Sequence, residues 1–479
     1  MKNSLWTNVE VENATNALTT GVLWNAEGIC IDSRKVQPRD IFVAFKGNRV
    51  DGHSYVLDAF KKGAVAAIVE REIEGLKEEN PLLIVENVQE ALAQLACSAR
   101  NRSAADVIAI TGSVGKTSSK NLLAKALSQF DSVHSTIGNL NNHIGAPLTL
   151  ARLNVSSRFA VFELGMNHSG EIELLSKLIR PKVAMITNVH GVHLEQLKTE
   201  RAVAEAKGEI FQGLTEGGSV VLNQDNAWTE FLKLDAKKRD IQKIITFGED
   251  IKSDLQLVEW QSQKEKSLVT IKNDRKTYKY VLSENGKHRA LNSIGVLACV
   301  HALGLDIERA AESFKEIATP IGRGGQSNIP LPNGGAFCLI DESYNASPVA
   351  MKAAFSALKI MKPDAGGRRL IVIGDMLELG KNASKLHTEM LEDLLAVKPD
   401  IVFTVGRLMW ELRKLLPHEI CGGHGQKSSD IANEVAGEIR AGDLVLVKGS
   451  LGTDMASIIN AIHALNSRGS DASKPRKGE

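Results

Sequence analysis

Along this chain, short runs of continuously apolar residues alternate with stretches whose apolar positions recur at helical spacing. The runs IFVAF (41–45), AAIV (66–69), DVIAIT (106–111), FAVFEL (159–164), VAMIT (183–187), SVVLN (219–223), LIVIG (370–374), IVFTVG (401–406) and LVLVKG (444–449) read as strands. Helical patterns such as KTSSKNLLAKALSQF (116–130) lie between them. Strands that are apolar on both faces and alternate with helices predict parallel sheets covered on both sides. Residues 250–285 break the pattern: LQLVEW, SLVTIK and TYKYVL alternate apolar with charged positions, which predicts an antiparallel patch.

The class is therefore α/β, and 479 residues are too many for one core. Three domains are expected. A small α/β unit spans 1–85, a central parallel sheet with the antiparallel patch spans 86–318, and a Rossmann-like α/β domain spans 319–466. The last begins near Gly322-Arg323-Gly324-Gly325, and the polar tail 467–479 is expected to be disordered. Lysine and arginine number 58 against 57 aspartates and glutamates. This near balance, without a basic stripe, argues against a nucleic-acid partner. Five widely spaced cysteines without a CxxC pair suit reduced thiols in a cytoplasmic protein. No apolar run is long enough for membrane insertion, and the first residues lack the apolar core of a signal peptide.

The chemistry concentrates in DVIAITGSVGKTSSKNLL. A strand ends at Thr111, a turn with Gly112, Ser113, Val114 and Gly115 follows, and a helix opens at Lys116, Thr117 and Ser118. Glycines let backbone N–H groups approach phosphate oxygens, and the helix N-terminus adds partial positive charge. Lys116 then reaches the phosphates and the Thr117 hydroxyl a magnesium ion. The spacing between Gly112 and Gly115 is shorter than in the usual GxxxxGK[ST] loop. Glu163, ending FAVFEL, is either the carboxylate for that metal or a solvated strand end. TNVHGVHLEQ presents Asn188, His190 and His193 at another strand end, as ligands or as solvated side chains. Lys207, in AVAEAKGEIFQGL, reads locally as an ordinary surface lysine. NNHIGAPLTL (141–150) offers capping amides or a ligand turn, as does the segment Asp341–Pro348, where Ser347-Pro348 suits a helix start.

Taken together, these motifs resemble the Mur ligase family of ATP-dependent amide-forming enzymes of peptidoglycan precursor synthesis. The likeness runs from about Asp32 to about Met455. It rests on TGSVGKTS, GNLNN-x-IGAP, FELGMNHSGEI, TN-x-x-x-x-H, K-x-EI, N-x-D, G-x-H-x-x-x-N, Arg323 and DESYNASP in order. The short phosphate loop is the family's own form. Within the family, DSRKVQPRDIFVAFKGNRVDGHSYVLDAFKKGA, YNASP, GDMLELG and VLVKGSLG resemble the branch that joins D-alanyl-D-alanine to UDP-N-acetylmuramoyl-tripeptide. The branch that adds a diamino acid usually carries a DNPR-like sequence, and none is present.

The resemblance implies ATP and Mg2+ as cofactors and those two small molecules as substrates of a cytoplasmic, monomeric enzyme. It implies that Lys116 holds phosphates, that Thr117 and Glu163 bind magnesium, and that His193 serves a second metal. Lys207 matches the family's carbamylated lysine, His288 and Asn292 its adenine neighbours, and Arg323 and Asp341 its ATP contacts from the last domain. Ser33, Arg34 and the turn Gly47, Asp51, Gly52, His53 match the uridine-nucleotide region, with Asn142, Tyr344 and Asn345 as further substrate contacts. His190 takes no implied role. The alternatives are the diamino-acid ligase, a folylpolyglutamate synthase, a nucleotide-dependent switch that hydrolyses ATP slowly, and a homologue that binds precursor without catalysis.

Overall fold

The computed structural model describes residues 4–467 apart from 20–22, 48–49, 78–79, 192–193, 264–265 and 317–321. His193, the expected 318/319 boundary and nearly all of the expected tail lie outside the described residues.

Three principal sheets follow one another along the chain. The first has five strands, four of them parallel (Gly28–Cys30, Asp40–Val43, Ala66–Val69 and Leu82–Ile84), with Leu18–Thr19 antiparallel at one edge. The second has nine. Its parallel part runs, in spatial order, Lys243–Gly248, Ser219–Asn223, Val183–Ile186, Asp106–Thr111, Phe159–Glu163 and Val133–Ser135. The expected antiparallel patch completes it as Leu255–Gln263, Lys266–Lys272 and Thr277–Leu282. The third has six strands, parallel except for the edge pair Gly325–Pro330 and Ala336–Glu342. All nine apolar runs picked out above lie in these sheets.

Alternation along the central strands decides what faces the helices. Val107 and Ala109 join a core that continues into the first sheet through Ile29, Ile41 and Ile68. Ile108 and Ile110 turn to the opposite core, built on Leu122 and Leu123 of the helix Lys116–Leu127 and on the helix Lys287–Ala302. Phe159 and Val161 share that second face. The period of two then carries Glu163 to the same side as the Lys116 helix.

The first sheet is tied down by an indole. Trp6 is fully buried, its Nε1 donates to the Ala151 carbonyl at 2.9 Å, and the Arg102 guanidinium lies 3.8 Å from the ring centroid. Trp6→Ala removes a large buried side chain and a hydrogen bond, so a loss of about 3–5 kcal/mol is expected. A denaturant midpoint close to that of the unsubstituted chain would contradict this packing role.

Candidate active site

The strand Asp106–Thr111 sits where the order of the central sheet reverses, between the strands Val183–Ile186 and Phe159–Glu163. Crevices at such switch points, beyond the carboxyl ends of parallel strands, are where open α/β sheets bind ligands. The phosphate loop fills this one. Gly112 has φ +151°, and a Cβ there would stand 1.9 Å from Thr187 Oγ1. Gly115 has φ +86° and caps the helix, with the Asn292 amide 2.8 Å from where its Cβ would be.

The neighbouring strand end cradles the loop. Asn188 accepts from the Val114 N–H through its side chain (3.0 Å) and from Ser113 N–H through its carbonyl (3.0 Å). Thr187 Oγ1 donates to the Val114 carbonyl at 2.6 Å, and Ser113 Oγ donates to the His190 carbonyl at 3.0 Å. The TNVHG segment is thus a scaffold for the loop. The His190 ring is held below its usual pKa by burial and by the Lys207 charge, against Glu200. Gly112→Ala forces a rare backbone angle and a clash with Thr187, a strain of about 1–3 kcal/mol. Nucleotide affinity is expected to fall about tenfold or more. Calorimetric titration with ADP checks this; unchanged affinity would refute the cradle.

Charged groups gather behind the loop. Lys116 Nζ donates to the Gly112 carbonyl at 2.6 Å and, weakly, to that of Ser113 at 3.5 Å. Burial lowers its pKa and Arg323 adds to this, while Glu163 opposes both. The buried Thr117 hydroxyl donates to Glu163 Oε2 at 2.6 Å. Glu163 is 1% exposed, which excludes a solvated strand end. Its Oε1 accepts from Asn141 Nδ2 at 2.7 Å. Ser118 follows in the first turn.

Lys207 corrects its local reading as a surface lysine: it is 2% exposed. The helix Glu200–Gly208, capped by Thr199, buries Val203, Ala204 and Ala206, and Lys207 continues that face toward Ile210. No hydrogen bond or ion pair reaches its amine among the described residues. Burial, then the Lys116 charge, drives its pKa well below the ordinary lysine value.

On the far side, Asn292 abuts Gly115 and His288 is pushed down to about 4 by burial, with Arg289 also lowering it. At neutral pH its imidazole is uncharged. Arg323 reaches in from the third sheet's side: its guanidinium stacks 3.8 Å from the Tyr344 ring centroid, and its carbonyl accepts from Arg289. Asp341 accepts from the Gly322 and Ser343 N–H groups at 3.0 Å each, which fixes the glycine cluster carrying Arg323. Asn345 is exposed, and its carbonyl accepts from Lys448, the partner of Glu342 at 2.7 Å. Ser347 caps the helix Pro348–Ile360 with proline at its first turn, as the sequence suggests.

The amides of NNHIGAP divide their work. Asn142 accepts from the Ile144 and Gly145 N–H groups and starts the helix Gly145–Ala151, whereas Asn141 turns to Glu163. In the first sheet, Ser33 and Arg34 follow one parallel strand, and Gly47 and residues 50–53 follow the next, which places both groups at the carboxyl ends of those strands. Arg34 pairs with Asp32, whose carboxyl it pulls down to about 2. His53 is 2% exposed: Nε2 accepts from Glu70 N–H and Nδ1 meets Asp51 at 2.7 Å. Asp51 also takes Arg71 at 2.8 Å, so it stays ionised. A Cβ on Gly52 would meet the Phe45 carbonyl at 2.6 Å, and Gly47 N–H donates to the Val50 carbonyl. His53 therefore shapes this turn from inside, whereas Arg34 is solvent-exposed.

Residues 25–100 match the Mur ligase family catalytic domain, 110–300 the Mur ligase middle domain, and 333–451 the Mur ligase glutamate ligase domain. The UDP-N-acetylmuramoyl-tripeptide–D-alanyl-D-alanine ligase of Rickettsia prowazekii (strain Madrid E) is 35% identical over 437 residues, which is 91% of this chain and 95% of that one. The chain belongs to the Mur ligase family. Among solved structures, a MurF from Acinetobacter baumannii superposes with a TM-score of 0.82 at 28% identity, over 96% of this chain and 99% of that one. The MurF ligase of Thermotoga maritima in complex with ADP gives 0.74 at 27%, over 92% and 98%. For this Mur ligase, the sequence reading gave no individual role to the buried Lys120 or the half-buried Asn141. Lys120 and Asn141 both point at the Glu163 neighbourhood, and the signal for Lys120 was its helical spacing with Thr117, Leu123 and Leu127.

Proposed function

We propose that this chain is an ATP-dependent amide ligase that adds D-alanyl-D-alanine to UDP-N-acetylmuramoyl-tripeptide, giving the pentapeptide nucleotide, ADP and phosphate. The observation that carries the reading is the Thr117–Glu163 contact of 2.6 Å at the base of the phosphate loop, in a chain related over nearly its whole length to ligases of that name. A hydroxyl and a carboxylate are hard oxygen donors that suit Mg2+, which usually takes one or two carboxylates and completes its shell with phosphate and water. Among the described residues no cluster of three or more His, Cys, Asp or Glu side chains offers a richer metal cage. When bound, magnesium supplies charge neutralisation at the phosphoryl oxygens.

A carboxylate and an amine do not condense at neutral pH, because oxide is a poor leaving group. In the proposed reaction the terminal carboxylate of the tripeptide attacks the γ-phosphorus of ATP, and ADP leaves. The amine of D-alanyl-D-alanine then attacks the acyl carbon, loses a proton, and the tetrahedral intermediate expels phosphate. Lys116 holds the phosphates and stabilises charge developing on the transferred group. Lys207 as its carbamate, and His193, complete the metal environment. His288 and Asn292 border the adenine, and Arg323 and Asp341 reach ATP from the third sheet's side. Ser33, Arg34 and the 47–53 turn receive the uridine nucleotide, and Asn142, Tyr344 and Asn345 lie toward the peptide.

We assign these tasks to the units 1–85, 86–318 and 319–466 of a cytoplasmic monomer. Closure of the three would keep water from the acyl phosphate. No helix among the described residues is long and apolar enough to cross a membrane.

The deciding experiment is phosphate release from ATP with UDP-N-acetylmuramoyl-tripeptide, with and without D-alanyl-D-alanine, with the product checked by mass. Release that needs both, and a pentapeptide nucleotide product, is expected. Release that needs a diamino acid and a shorter nucleotide instead would move the chain to the neighbouring branch. Turnover indifferent to every uridine nucleotide would overturn the ligase reading.

A further inference from the structure

Lys120 is a buried cation with no role in the reaction as derived so far. It lies on the helix Lys116–Leu127, one turn beyond Lys116 and Thr117, and is 2% exposed. Its Nζ donates to the Thr136 carbonyl at 2.6 Å and the Gly138 carbonyl at 3.1 Å. No carboxylate pairs with it at ion-pair distance among the described residues; Glu163 and Arg323 are the charged groups whose fields reach it.

Both carbonyls belong to the segment 136–141, which follows the short strand Val133–Ser135. That segment holds the Glu163 strand end at three points. Thr136 Oγ1 accepts from the Glu163 N–H at 3.2 Å, Asn141 Nδ2 donates to Glu163 Oε1 at 2.7 Å, and the Asn141 carbonyl accepts from Gly165 N–H at 2.8 Å. The segment therefore touches the carboxylate on one side and is anchored to the phosphate-loop helix by Lys120 on the other.

Keeping an ammonium here is costly. Lysine is rarely fully buried, and a charge removed from water without an ion partner is penalised heavily. Leu122, Leu123 and Leu127 of the same helix pack into an apolar core, and a methionine at 120 would carry no such penalty. Two carbonyls aimed at one point instead require a donor.

We propose that Lys120 is a positioning residue for the metal-binding carboxylate. It fixes the segment 136–141 so that Asn141 occupies Glu163 Oε1 and leaves Oε2, beside the Thr117 hydroxyl, for the cation. This rests on the ATP–magnesium reading of the site.

The test is a thermodynamic cycle on Mg2+-dependent ADP binding, read by calorimetry on the full chain for Lys120→Met, Asn141→Ala and the double variant. Each single change is expected to weaken the magnesium-dependent part of binding about ten- to a hundredfold, as loss of groups that orient a metal ligand does. The double variant should lose no more than the worse single, because both act through one carboxylate. ADP binding without magnesium should stay unchanged. In turnover, the magnesium concentration for half-maximal rate should rise more than kcat falls at saturating magnesium.

Additive losses, an unchanged magnesium dependence, or an equal loss of magnesium-free ADP affinity would each overturn the proposal. Should Lys120→Met fail to fold by circular dichroism, Lys120→Gln replaces it in the cycle; its amide still donates to one carbonyl and should keep part of the affinity. A wild-type chain that binds ADP with no magnesium dependence would instead sink the reading of the site on which the proposal stands.

Discussion

Replacing Lys116 by methionine is expected to lower the rate of ATP-dependent amide formation on the order of a hundred- to a thousandfold, the effect of removing one preorganised group that meets transition-state charge. The side chain does two things in the structure. It ties the loop together through the Gly112 carbonyl, and it places a cation at the start of the loop helix, where phosphate is expected to bind. The first sheet lies outside this contact network, so binding of the uridine nucleotide should survive the substitution. A variant that loses both functions equally would point to a collapsed fold. One that keeps its rate would remove the phosphate loop from the chemistry.

The same lysine predicts a pH dependence. Its pKa is lowered by burial, with Arg323 adding to that and Glu163 opposing it, so the free site sheds its proton below the pH at which an exposed lysine would. ADP affinity should therefore weaken as pH rises from neutral to alkaline, and Lys116→Met should flatten the profile. Calorimetric titrations across that range decide it. A wild-type affinity that holds constant into the alkaline range would show that the ammonium takes no part in binding.

What the sequence discloses follows from where the determining forces lie. Continuously apolar runs such as AAIV and SVVLN are legible because both faces of a parallel sheet are covered, and their observed limits, Ala66–Val69 and Ser219–Asn223, match the runs. Val133–Ser135 and Cys421–Gly425 are not legible. Each lies at a sheet edge, and neither contains a run of apolar residues. The phosphate loop announces itself because glycine positions and the strand–turn–helix order are local. Glu163 became decidable only when strand parity and the Thr117 hydroxyl were seen together. Lys120 and Lys207 look alike to a local reading, since a lysine on a helix is normally solvated; burial by distant elements distinguishes them. Lys207 did carry a signal: Val203 and Ile210 place it on an apolar face. The reversal that brings Gly47 to Val50 was legible from its glycines, but not that His53 would be enclosed by Asp51 and Glu70.

Lys207→Met is expected to remove activity and stabilise the fold at once. The folded pKa of Lys207 lies well below the ordinary lysine value because of burial first and the Lys116 charge second. Between that lowered value and the unfolded value near about 10.4, the unfolded chain binds a proton that the folded chain does not. Stability then rises with pH through the window and is least favoured at its lower end. Methionine has no such proton and suits the apolar face that Lys207 shares with Val203 and Ile210. The variant should thus unfold at a higher denaturant concentration near neutral pH, and its advantage should shrink toward the unfolded lysine pKa.

Activity should move the opposite way. A neutral amine at that position can attack the carbon of carbon dioxide and release a proton, leaving an N-carboxylate that methionine cannot form. In the proposed site that carboxylate supplies an oxygen ligand, so its loss should cost about ten- to a hundredfold or more in rate. Wild-type chain stripped of carbon dioxide should lose activity and regain it with bicarbonate, while Lys207→Met should not respond. A variant that is less stable than wild type would contradict the burial penalty on this amine. A variant that is stable but nearly as active would return Lys207 to a packing role and leave Thr117 and Glu163 to hold the cation without it.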